Sequence, residues 1–552
     1  MSEPQKPHLR IVSAIEDAET ISAGPAPSAD AAGTEAPDRE VPQPKGGGRG
    51  AGVDGEFSGI DYECSWLPRT DLGNAERFVK RFGEDFLFVP EWGWMAWDER
   101  RWNSNEADAI LARAVHQAIK AIAGEAEALK ASGRDVLLDQ TRNVWLSDKL
   151  KGWCLASQSA SHIAAVAKLA QSYLTVSTDA FDADPMAFNV ANGTLRFARG
   201  EEGEDYVSFH PHRREDRFTK MSSVDYDPKA QCPLYDRFLE RVHPDVDEQG
   251  QPAGGSALRR HLAIVGGLSL TALQIPKMWF WYGVGRNGKS VLADVWAHVA
   301  GEYSQSIPIE SFLDQGKSRR GGEASPDIAS LVQVRLLRTS EPEKRSKLAE
   351  ALIKRLTGGE KERARHLNRD FFEFTPVFKL IMQGNYKPTI EGTDEGIWAR
   401  MVLIYWRVTI PEKERDPNLT VKLKAEASGI LNRLLDGIRD YLDHGLMLPD
   451  EVIASTQEYR DDSDPIGRFL KECTASAPKS RAAGGELYRL YEAWAGADGT
   501  PKWSPKAFKR GLADHGIRSM KSSGVFYLDI EMTKSRHEFD GQKWGNDDED
   551  QH

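Results

Sequence analysis

A glycine-rich segment near the middle of the chain carries the residue types that bind a triphosphate. It fits the pattern G-x-x-x-x-G-K-S and consists of Gly283, Val284, Gly285, Arg286, Asn287, Gly288, Lys289 and Ser290. In such a loop, successive backbone N–H groups surround a phosphate, the lysine reaches the β and γ oxygens, and the serine hydroxyl is a ligand of Mg²⁺. The sequence therefore predicts a site for a nucleoside triphosphate and Mg²⁺.

A strand and a helix are expected to hold this loop. Trp279–Tyr282 precede it and are all aromatic, and a helical stretch, Val291–Val299, follows it. The N-terminus of a helix carries a partial positive charge that favours a bound anion. The order of strand, loop and helix separates this match from a chance occurrence of the pattern.

Two carboxylates follow another apolar run. Val334–Thr339 predict a strand, and Glu341 and Glu343 come directly after it. Where a strand ends beside a phosphate loop, one acid can hold the water shell of Mg²⁺ and another can polarise the attacking water. We expect Glu341 and Glu343 in these roles, with a solvated strand end as the alternative.

An amide and an arginine adjoin two further apolar runs. Asn385 follows the expected strand Phe378–Met382, where its side chain can contact the γ-phosphate or the attacking water, although asparagine is also a common turn former. Arg400 precedes the expected strand Met401–Trp406 and could neutralise charge on the γ-phosphoryl group as an arginine finger. A surface arginine without a partner is the alternative for Arg400.

The spacing of these strands indicates the fold class. A further strand is expected over Ser306–Glu310, and helical sequence lies between most of the strands. Apolar strands that alternate with helices predict an α/β sheet buried on both faces.

Composition limits the remaining possibilities. The chain has 552 residues and a formal net charge of −12, so two to four domains are expected and a general polycation is excluded. Its apolar runs are too short to cross a membrane, and its four cysteines form no C-x-x-C pair. Disulfides and cysteine zinc sites are therefore unexpected, and we expect a cytoplasmic protein without a membrane partner.

Residues upstream of the loop predict smaller elements. Trp92, Trp94, Trp97 and Trp102 indicate a short hairpin whose aromatic rings pack in a core, with base stacking as the alternative. Helices are expected over Glu106–Lys130, Leu138–Tyr173, Leu234–Val242 and Ala257–Leu273. The Asn192-Gly193 pair predicts a second hairpin.

The order of the motifs resembles that of the superfamily-3 helicases, and in particular the phage and plasmid primase–helicase family typified by satellite-phage replication proteins. The resemblance rests on the glycine loop and on a series of motifs after it: Ser340-Glu341-Pro342-Glu343, Leu356-Thr357-Gly358-Gly359, Glu373-Phe374-Thr375-Pro376 with Asn385, and Gly396-Ile397-Trp398-Ala399-Arg400. Upstream, Thr70–Ala75, Trp92–Trp102 and Asn189–Leu195 are similar to the helicase-associated domain of that family.

The resemblance implies a fold, an activity and partners. It implies an AAA+-like P-loop ATPase domain with a mixed α+β helicase-associated domain before it, in a ring that is usually hexameric and moves along single-stranded or forked DNA with ATP. Lys289 and Ser290 correspond to the ligands of the triphosphate and Mg²⁺, Glu341 to the Walker B acid and Asn385 to the sensor. Arg400 corresponds to the finger that acts across a subunit boundary.

Three departures from the family pattern bear on these assignments. Ala399 stands where the family often has a first arginine, so the finger depends on Arg400. Pro342 separates two acids that are usually adjacent, which leaves open whether Glu341 or Glu343 activates water. The first 60 residues are too short for a polymerising domain, so we expect a helicase without a primase domain, with a separate primase or other replication proteins as partners.

Two basic segments are candidates for contact with DNA. Lys361, Arg363, Arg365 and Arg369 correspond in position to the family segment that lines the central pore, and basic side chains there would contact phosphates without reading sequence. Lys506, Lys509 and Arg510 fall on one face of a helix in a region that resembles a winged helix. A solvated surface is the alternative for both segments.

These interpretations divide the chain into six segments and leave more than one function open. The segments are a disordered tail (1–60), the helicase-associated domain (61–230), a helical collar (231–275), the ATPase domain (276–450), a C-terminal winged helix (451–532) and an acidic tail (533–552). An ATP-driven DNA helicase is expected. An origin-binding or packaging ATPase that remodels assemblies without strand separation is the alternative, and a metabolic kinase would not account for the basic segments.

Overall fold

The computed structural model describes residues 59–199, 206–247, 249, 251, 253–314, 326–339, 341, 346–365, 371–390 and 395–539. Residues 1–58 of the expected N-terminal tail and residues 540–552 of the expected acidic tail therefore lie outside the described residues, as do Glu343 and Arg369. The chain divides into two compact units, one formed by the residues up to Ala183 together with His212–Lys220, and the other by Asp184–Pro211 together with the residues from Met221 onward. The boundaries of the six expected segments stay a prediction.

The described residues of the first unit form five α-helices and two small antiparallel sheets. Its helices are α1 (Ile60–Ser65), α2 (Asp71–Phe82), α3 (Ala107–Ala131), α4 (Leu146–Ala156) and α5 (Ala160–Leu174), and its strands are β1 (Phe86–Val89), β2 (Gly93–Trp97), β3 (Trp102–Asn103), β4 (Leu137–Asp139) and β5 (Val144–Trp145). Trp94, Trp97 and Trp102 are buried, which confirms that the aromatic hairpin packs in a core. Arg77 is fully buried in the same unit, where its Nε donates to Glu125 Oε2 over 2.8 Å.

The helical pattern expected over Leu138–Tyr173 is confirmed from Leu146 onward, as two helices, and is wrong before Leu146. Residues 137–145 form the β4–β5 hairpin, whose turn contains Asn143 with a φ of 48°. A helix begins only at Leu146, and the following helix starts after Ser159, whose hydroxyl accepts a hydrogen bond from His162 N. Asparagine in a left-handed turn and serine at a helix start are the usual roles of these residues, and these local preferences outweigh the helical spacing of the apolar side chains.

The second unit begins with a three-stranded sheet and two helices. The strands are β6 (Ala187–Val190), β7 (Gly193–Phe197) and β8 (Val207–His210), and the helices are α6 (Pro233–Val242) and α7 (Gly255–Leu268). β6 and β7 pair antiparallel across the Asn192-Gly193 turn, which confirms the second hairpin. α7 ends at Leu268 rather than at Leu273, and the residues after Leu268 form hydrogen-bonded turns.

A five-stranded parallel sheet forms the centre of the second unit. Its strands, in spatial order, are β10 (Ser304–Ile307), β11 (Leu336–Thr339), β14 (Lys379–Gly384), β9 (Met278–Tyr282) and β15 (Met401–Tyr405). The sheet is flanked by α8 (Lys289–Ala300), α9 (Pro326–Ala329), α10 (Glu350–Thr357) and α11 (Glu395–Trp398). Every side chain of β14 is buried, as the expected α/β architecture requires.

The order of the strands determines which loops meet. β14 lies between β11 and β9, with Met382 opposite both Thr339 and Phe280. All five strands run in the same direction, so the segments that follow β9, β11 and β14 lie side by side at one edge of the sheet. This edge is the carboxyl edge, the usual place for ligands in α/β sheets.

A short antiparallel hairpin leaves the sheet region between α10 and β14. It consists of β12 (Glu362–Ala364) and β13 (Phe372–Phe374), with Arg363 opposite Glu373. Three helices follow the central sheet: α12 (Leu419–Lys424), α13 (Ala427–His444) and α14 (Asp450–Asp462).

The C-terminal part of the second unit has its own core. It contains helices α15 (Pro465–Cys473), α16 (Gly484–Asp498) and α17 (Pro505–Asp514) and an antiparallel sheet of β16 (Thr474–Ala483), β18 (Val525–Met532) and β17 (Ser519–Lys521). Phe469, Tyr491, Trp494 and Phe508 are buried together there. Across the residues that the structure describes, none of the helices is both long enough and apolar enough to cross a bilayer.

Candidate functional site

The glycine loop joins β9 to α8 at the carboxyl edge of the central sheet. Gly285 and Gly288 have φ values of +91° and +90°, a conformation that side chains with a Cβ adopt rarely. A Cβ on Gly288 would also lie only 2.9 Å from the ring of Phe238. The loop therefore needs glycine at these positions, and it ends directly at the N-terminus of the twelve-residue helix α8.

Lys289 is the first residue of α8 and points back into the loop. Its side chain is buried, and Nζ donates to the carbonyl oxygen of Gly283 over 2.8 Å and to Asn385 Oδ1 over 3.4 Å. Burial lowers the pKa of Lys289, and the negative charge of Glu341 partly offsets that effect. An ammonium group has three donors, so a phosphate oxygen can take one of them.

Asn385 connects the lysine to a carboxylate. Its Nδ2 donates to Glu341 Oε2 over 2.8 Å, while its Oδ1 accepts from Lys289. Since an ammonium group only donates and a carboxylate only accepts, this arrangement fixes the orientation of the amide. Glu341 is exposed, and Asn385 is half-buried. The two side chains meet because β11 and β14 are neighbours.

The hydroxyl of Ser290 has a partner that the sequence did not indicate. Ser290 Oγ donates to Gln383 Oε1 over 3.2 Å, and Gln383 is buried at the end of β14. Gln383 lies two residues before Asn385, which directly follows β14, and both side chains reach the glycine loop and the start of α8, Gln383 at Ser290 and Asn385 at Lys289. That two-residue spacing is the signal that could have identified it.

Oxygen atoms at this edge suit a hard divalent cation. The hydroxyl of Ser290 gives its proton to Gln383 and so keeps its lone pairs for a ligand, and the carboxylate of Glu341 is held in place through Asn385. Hydroxyl and carboxylate oxygens are ligands that Mg²⁺ accepts, usually with several waters. The donor set therefore fits the Mg²⁺ that the loop pattern implies.

Arg400 does not join this group of residues. Its carbonyl oxygen accepts a hydrogen bond from Met278 N, at the start of β9, whereas the glycine loop follows the end of that strand. The length of β9 separates the two positions by roughly 13 Å. Arg400 Nε donates to Thr357 Oγ1 over 3.1 Å and Nη1 to the carbonyl oxygen of Gly396 over 2.7 Å.

The basic segment after α10 forms the β12–β13 hairpin. Lys361 and Arg363 are exposed, and the guanidinium groups of Arg363 and Arg365 lie 4.5 Å and 4.8 Å from the centre of the Phe371 ring. The hairpin therefore brings Arg363 and Arg365 together at Phe371, Lys361 directly precedes β12, and Arg369 lies outside the described residues.

The second basic segment lies on α17. The hydroxyl of Ser504 accepts from Ala507 N at the start of this helix, as its sequence indicates. Lys506, Lys509 and Arg510 are exposed, while Phe508 and Leu512 on the opposite side are buried. The helix thus presents a basic face to solvent.

Comparison with known proteins gives a family match in the first half of the chain. Residues 75–244 match the family described as D5 N terminal like. The C-terminal region of NrS-1 (305-718), solved in its apo form, has a TM-score of 0.34 and 14% sequence identity, and the likeness covers 62% of this chain and 85% of that one.

Three curated viral proteins whose names describe helicases are also similar. Protein L207/L206 of Acanthamoeba polyphaga mimivirus is 26% identical over 251 residues, which are 42% of this chain and 25% of that protein. Protein 022R of Frog virus 3 is 24% identical over 237 residues, covering 40% of this chain and 24% of that protein. Protein V13 of Sputnik virophage is 28% identical over 188 residues, covering 32% of this chain and 24% of that protein.

The chain spans about a quarter of the length of these curated relatives. The family match over residues 75–244, together with the similarity to three viral proteins named for helicase activity, confirms the resemblance of this chain to the D5-like helicases of phages and viruses.

Proposed function

We propose that this chain is an ATP-driven DNA helicase that acts in the replication of a phage, prophage, virus or plasmid. The observation that carries the proposal is the connected group at the carboxyl edge of the sheet, in which Asn385 bonds both Lys289 and Glu341. A helicase needs such a group to detect an intact triphosphate and to hydrolyse it. The similarity to viral proteins named as helicases supports the same function.

Each residue of the site would have a separate role in hydrolysis. The loop N–H groups and Lys289 would bind the β- and γ-phosphates, and Glu341 would hold or polarise the attacking water. Asn385 would change partners when the γ-phosphate arrives, because its amide could then donate to that phosphate or to the attacking water instead of to Glu341. Mg²⁺, when bound through Ser290 and Glu341, would neutralise charge on the phosphate oxygens. Glu343 and Glu341 remain alternative general bases.

Arg400 would act on the site of a neighbouring subunit. Within one chain it is at the opposite edge of the sheet from Lys289, so it cannot serve its own site. A ring of AAA+-like subunits, six in the expected assembly, would place it against the next nucleotide. An arginine in this role contributes about three to five orders of magnitude in rate.

DNA would be held by the two basic surfaces. Lys361, Arg363 and Arg365 on the β12–β13 hairpin, with Arg369, would contact the backbone of a strand in the ring. Lys506, Lys509 and Arg510 on α17 would contact DNA from a winged helix, since a helix followed by the β17–β18 hairpin is the arrangement of that motif. Phosphate contacts of this kind provide affinity without sequence preference.

A strand-displacement assay on forked DNA tests the proposal. We expect unwinding that requires ATP and Mg²⁺ and that is lost in Lys289→Ala, whereas Lys413→Ala, which removes an exposed lysine, should unwind at the wild-type rate. Hydrolysis by an assembled ring without strand displacement would favour the alternative, a DNA-binding ATPase that remodels assemblies. Absence of ATP hydrolysis by the wild-type ring would contradict both functions.

A further inference from the structure

Thr357 ends helix α10 and is buried against Arg400. Its hydroxyl donates to the carbonyl oxygen of Ile353 over 2.7 Å, within the same helix. A hydroxyl has one proton, so the oxygen presents lone pairs to its other neighbour. That neighbour is Arg400 Nε, 3.1 Å away.

The bonds of Arg400 fix the direction of its guanidinium group. Nε donates to Thr357 Oγ1 and Nη1 donates to the carbonyl oxygen of Gly396, so two of the three guanidinium nitrogens are held in place. The third nitrogen, Nη2, lies beside Gly358. A Cβ added at Gly358 would be 3.5 Å from Nη2 and 2.7 Å from the carbonyl oxygen of Lys354. A side chain at 358 would therefore clash with the backbone of α10 at Lys354, whereas its distance from Nη2 is an ordinary contact.

The same turn of α10 also holds the basic hairpin. Arg355 forms two hydrogen bonds with the carboxylate of Glu362 on β12, Nε to Oε2 over 2.9 Å and Nη2 to Oε1 over 3.1 Å. Glu362 directly precedes Arg363, one of the residues expected to contact DNA. Arg355 and Thr357 thus lie in one helical turn, where Arg355 bonds the hairpin and Thr357 bonds Arg400.

We propose that Thr357 is a positioning residue for Arg400, and that the last turn of α10 connects the DNA-contacting hairpin to this arginine. The inference rests on the proposed function, in which Arg400 acts on the nucleotide of a neighbouring subunit. Thr357 fixes the plane of the guanidinium group, and the Arg355–Glu362 pair moves that turn when DNA displaces the hairpin. DNA bound in one subunit thereby changes turnover in the next.

Replacing the threonine hydroxyl tests the first part. In Thr357→Val we expect kcat to fall by about tenfold to a hundredfold, the effect of losing one hydrogen bond to a charged group. KM for ATP should change by less than about threefold, because the Lys289 site lies at the other edge of the sheet. Thr357→Ser keeps the hydroxyl and should restore most of the rate. Thr474→Val is the matched control, since Thr474 also donates to a helix carbonyl, that of Leu470, and it should retain wild-type kcat.

Rings assembled from two variants test whether Thr357→Val acts through the position of Arg400 or through a general structural defect of the subunit. Thr357→Val subunits have an intact Lys289, and Lys289→Ala subunits have an intact Arg400. Mixing the two should restore turnover above the sum of the separate samples, because an intact arginine then faces an intact nucleotide site. Wild-type kcat in Thr357→Val, or a fall that Thr357→Ser does not reverse, would overturn the inference while leaving the proposed helicase function intact.

Charge reversal tests the connection to DNA. Arg355→Glu should lower the ratio of DNA-stimulated to basal turnover by severalfold, and the double variant Arg355→Glu, Glu362→Arg should restore it. An unchanged ratio in Arg355→Glu would overturn the connection. If wild-type protein does not hydrolyse ATP, the proposed function fails and the inference fails with it. If Arg400→Ala keeps full turnover, the role of Arg400 and the inference fail, while helicase activity itself is not contradicted.

Discussion

The side-chain amide of Asn385 donates to the carboxylate of Glu341 across 2.8 Å. The two residues are 44 positions apart in the chain and meet because β11 and β14 pair in parallel. The other end of the amide accepts from Lys289, so one neutral side chain lies between a cation and an anion. A γ-phosphate bound to the third donor of Lys289 would offer the amide of Asn385 a new acceptor, and that change of partner would release the carboxylate of Glu341.

Asn385→Asp should reduce turnover more strongly than nucleotide affinity. The substitution keeps the shape of the side chain but places a second negative charge next to Glu341 and removes the donor. We expect kcat to fall by about a hundredfold to a thousandfold, the usual effect of losing a positioned hydrogen-bond donor. Steady-state hydrolysis measures kcat, and titration with a fluorescent ATP analogue measures affinity, which should change by less than tenfold.

Asn143→Asp is the control for this substitution, because Asn143 is exposed in the turn between β4 and β5 and aspartate tolerates its left-handed conformation. Hydrolysis by Asn385→Asp at the wild-type rate would contradict the role assigned to the amide.

Gln383→Met should raise the concentration of Mg²⁺ that turnover requires. Methionine fills similar space but accepts hydrogen bonds only weakly. The hydroxyl of Ser290 would therefore lose its acceptor, and its proton would no longer be directed away from a bound Mg²⁺. Partners of metal ligands typically contribute tenfold to a hundredfold in metal affinity or activity. We therefore expect the Mg²⁺ concentration for half-maximal turnover to rise about tenfold at constant ATP.

A parallel measurement at saturating Mg²⁺ distinguishes this effect from damage to the site. The rate of Gln383→Met should approach that of wild type as Mg²⁺ increases. An unchanged midpoint, or a low rate that no Mg²⁺ concentration restores, would show that Gln383 does not act through Ser290.

Local sequence predicted the glycine loop well because its chemistry and its flanking elements are contiguous. The aromatic strand, the glycines and Lys289 follow one another, so their spacing alone indicates how they are arranged. Gln383 and Thr357 were not predicted as site residues because their partners depend on contacts between distant segments. Gln383 meets Ser290 only because β14 lies next to β9, and its spacing from Asn385 indicates the site but does not specify Ser290 as its partner.

Arg510→Ala on α17 should weaken binding to DNA and make it less sensitive to salt. The guanidinium is exposed on the basic face of the helix, and each phosphate contact releases about one counterion from duplex DNA. Loss of one contact should reduce the slope of log affinity against log salt by about one. Fluorescence anisotropy at several salt concentrations measures that slope. Arg489→Ala, on the exposed side of α16, should keep the wild-type slope, and equal slopes for all three proteins would exclude α17 from the DNA-binding surface.

His243 should make the second unit less stable at acidic pH. Its ring is buried against Trp406, with 4.4 Å between the ring centres, and within the described part of the chain its Nε2 has no hydrogen-bond partner. Burial, with the positive charge of Arg259 as a smaller cause, lowers the pKa of His243 from 6.5 to about 3. Between these two pH values the unfolded chain binds a proton that the folded chain does not bind. The free energy of unfolding therefore decreases as pH falls from 6.5 towards 3, by up to about 1.4 kcal/mol per pH unit from this residue.

His243→Phe should remove that contribution while keeping an aromatic ring against Trp406. Carboxylates elsewhere also make the protein less stable in acid, so the informative quantity is the difference between wild type and variant at each pH. Urea unfolding at pH 7, 6, 5 and 4 should show the variant gaining stability relative to wild type as pH decreases. A difference that stays constant over this range would mean that the imidazole is already protonated in the folded protein, or that it titrates alike in both states. Either result would contradict the effect of burial at this position.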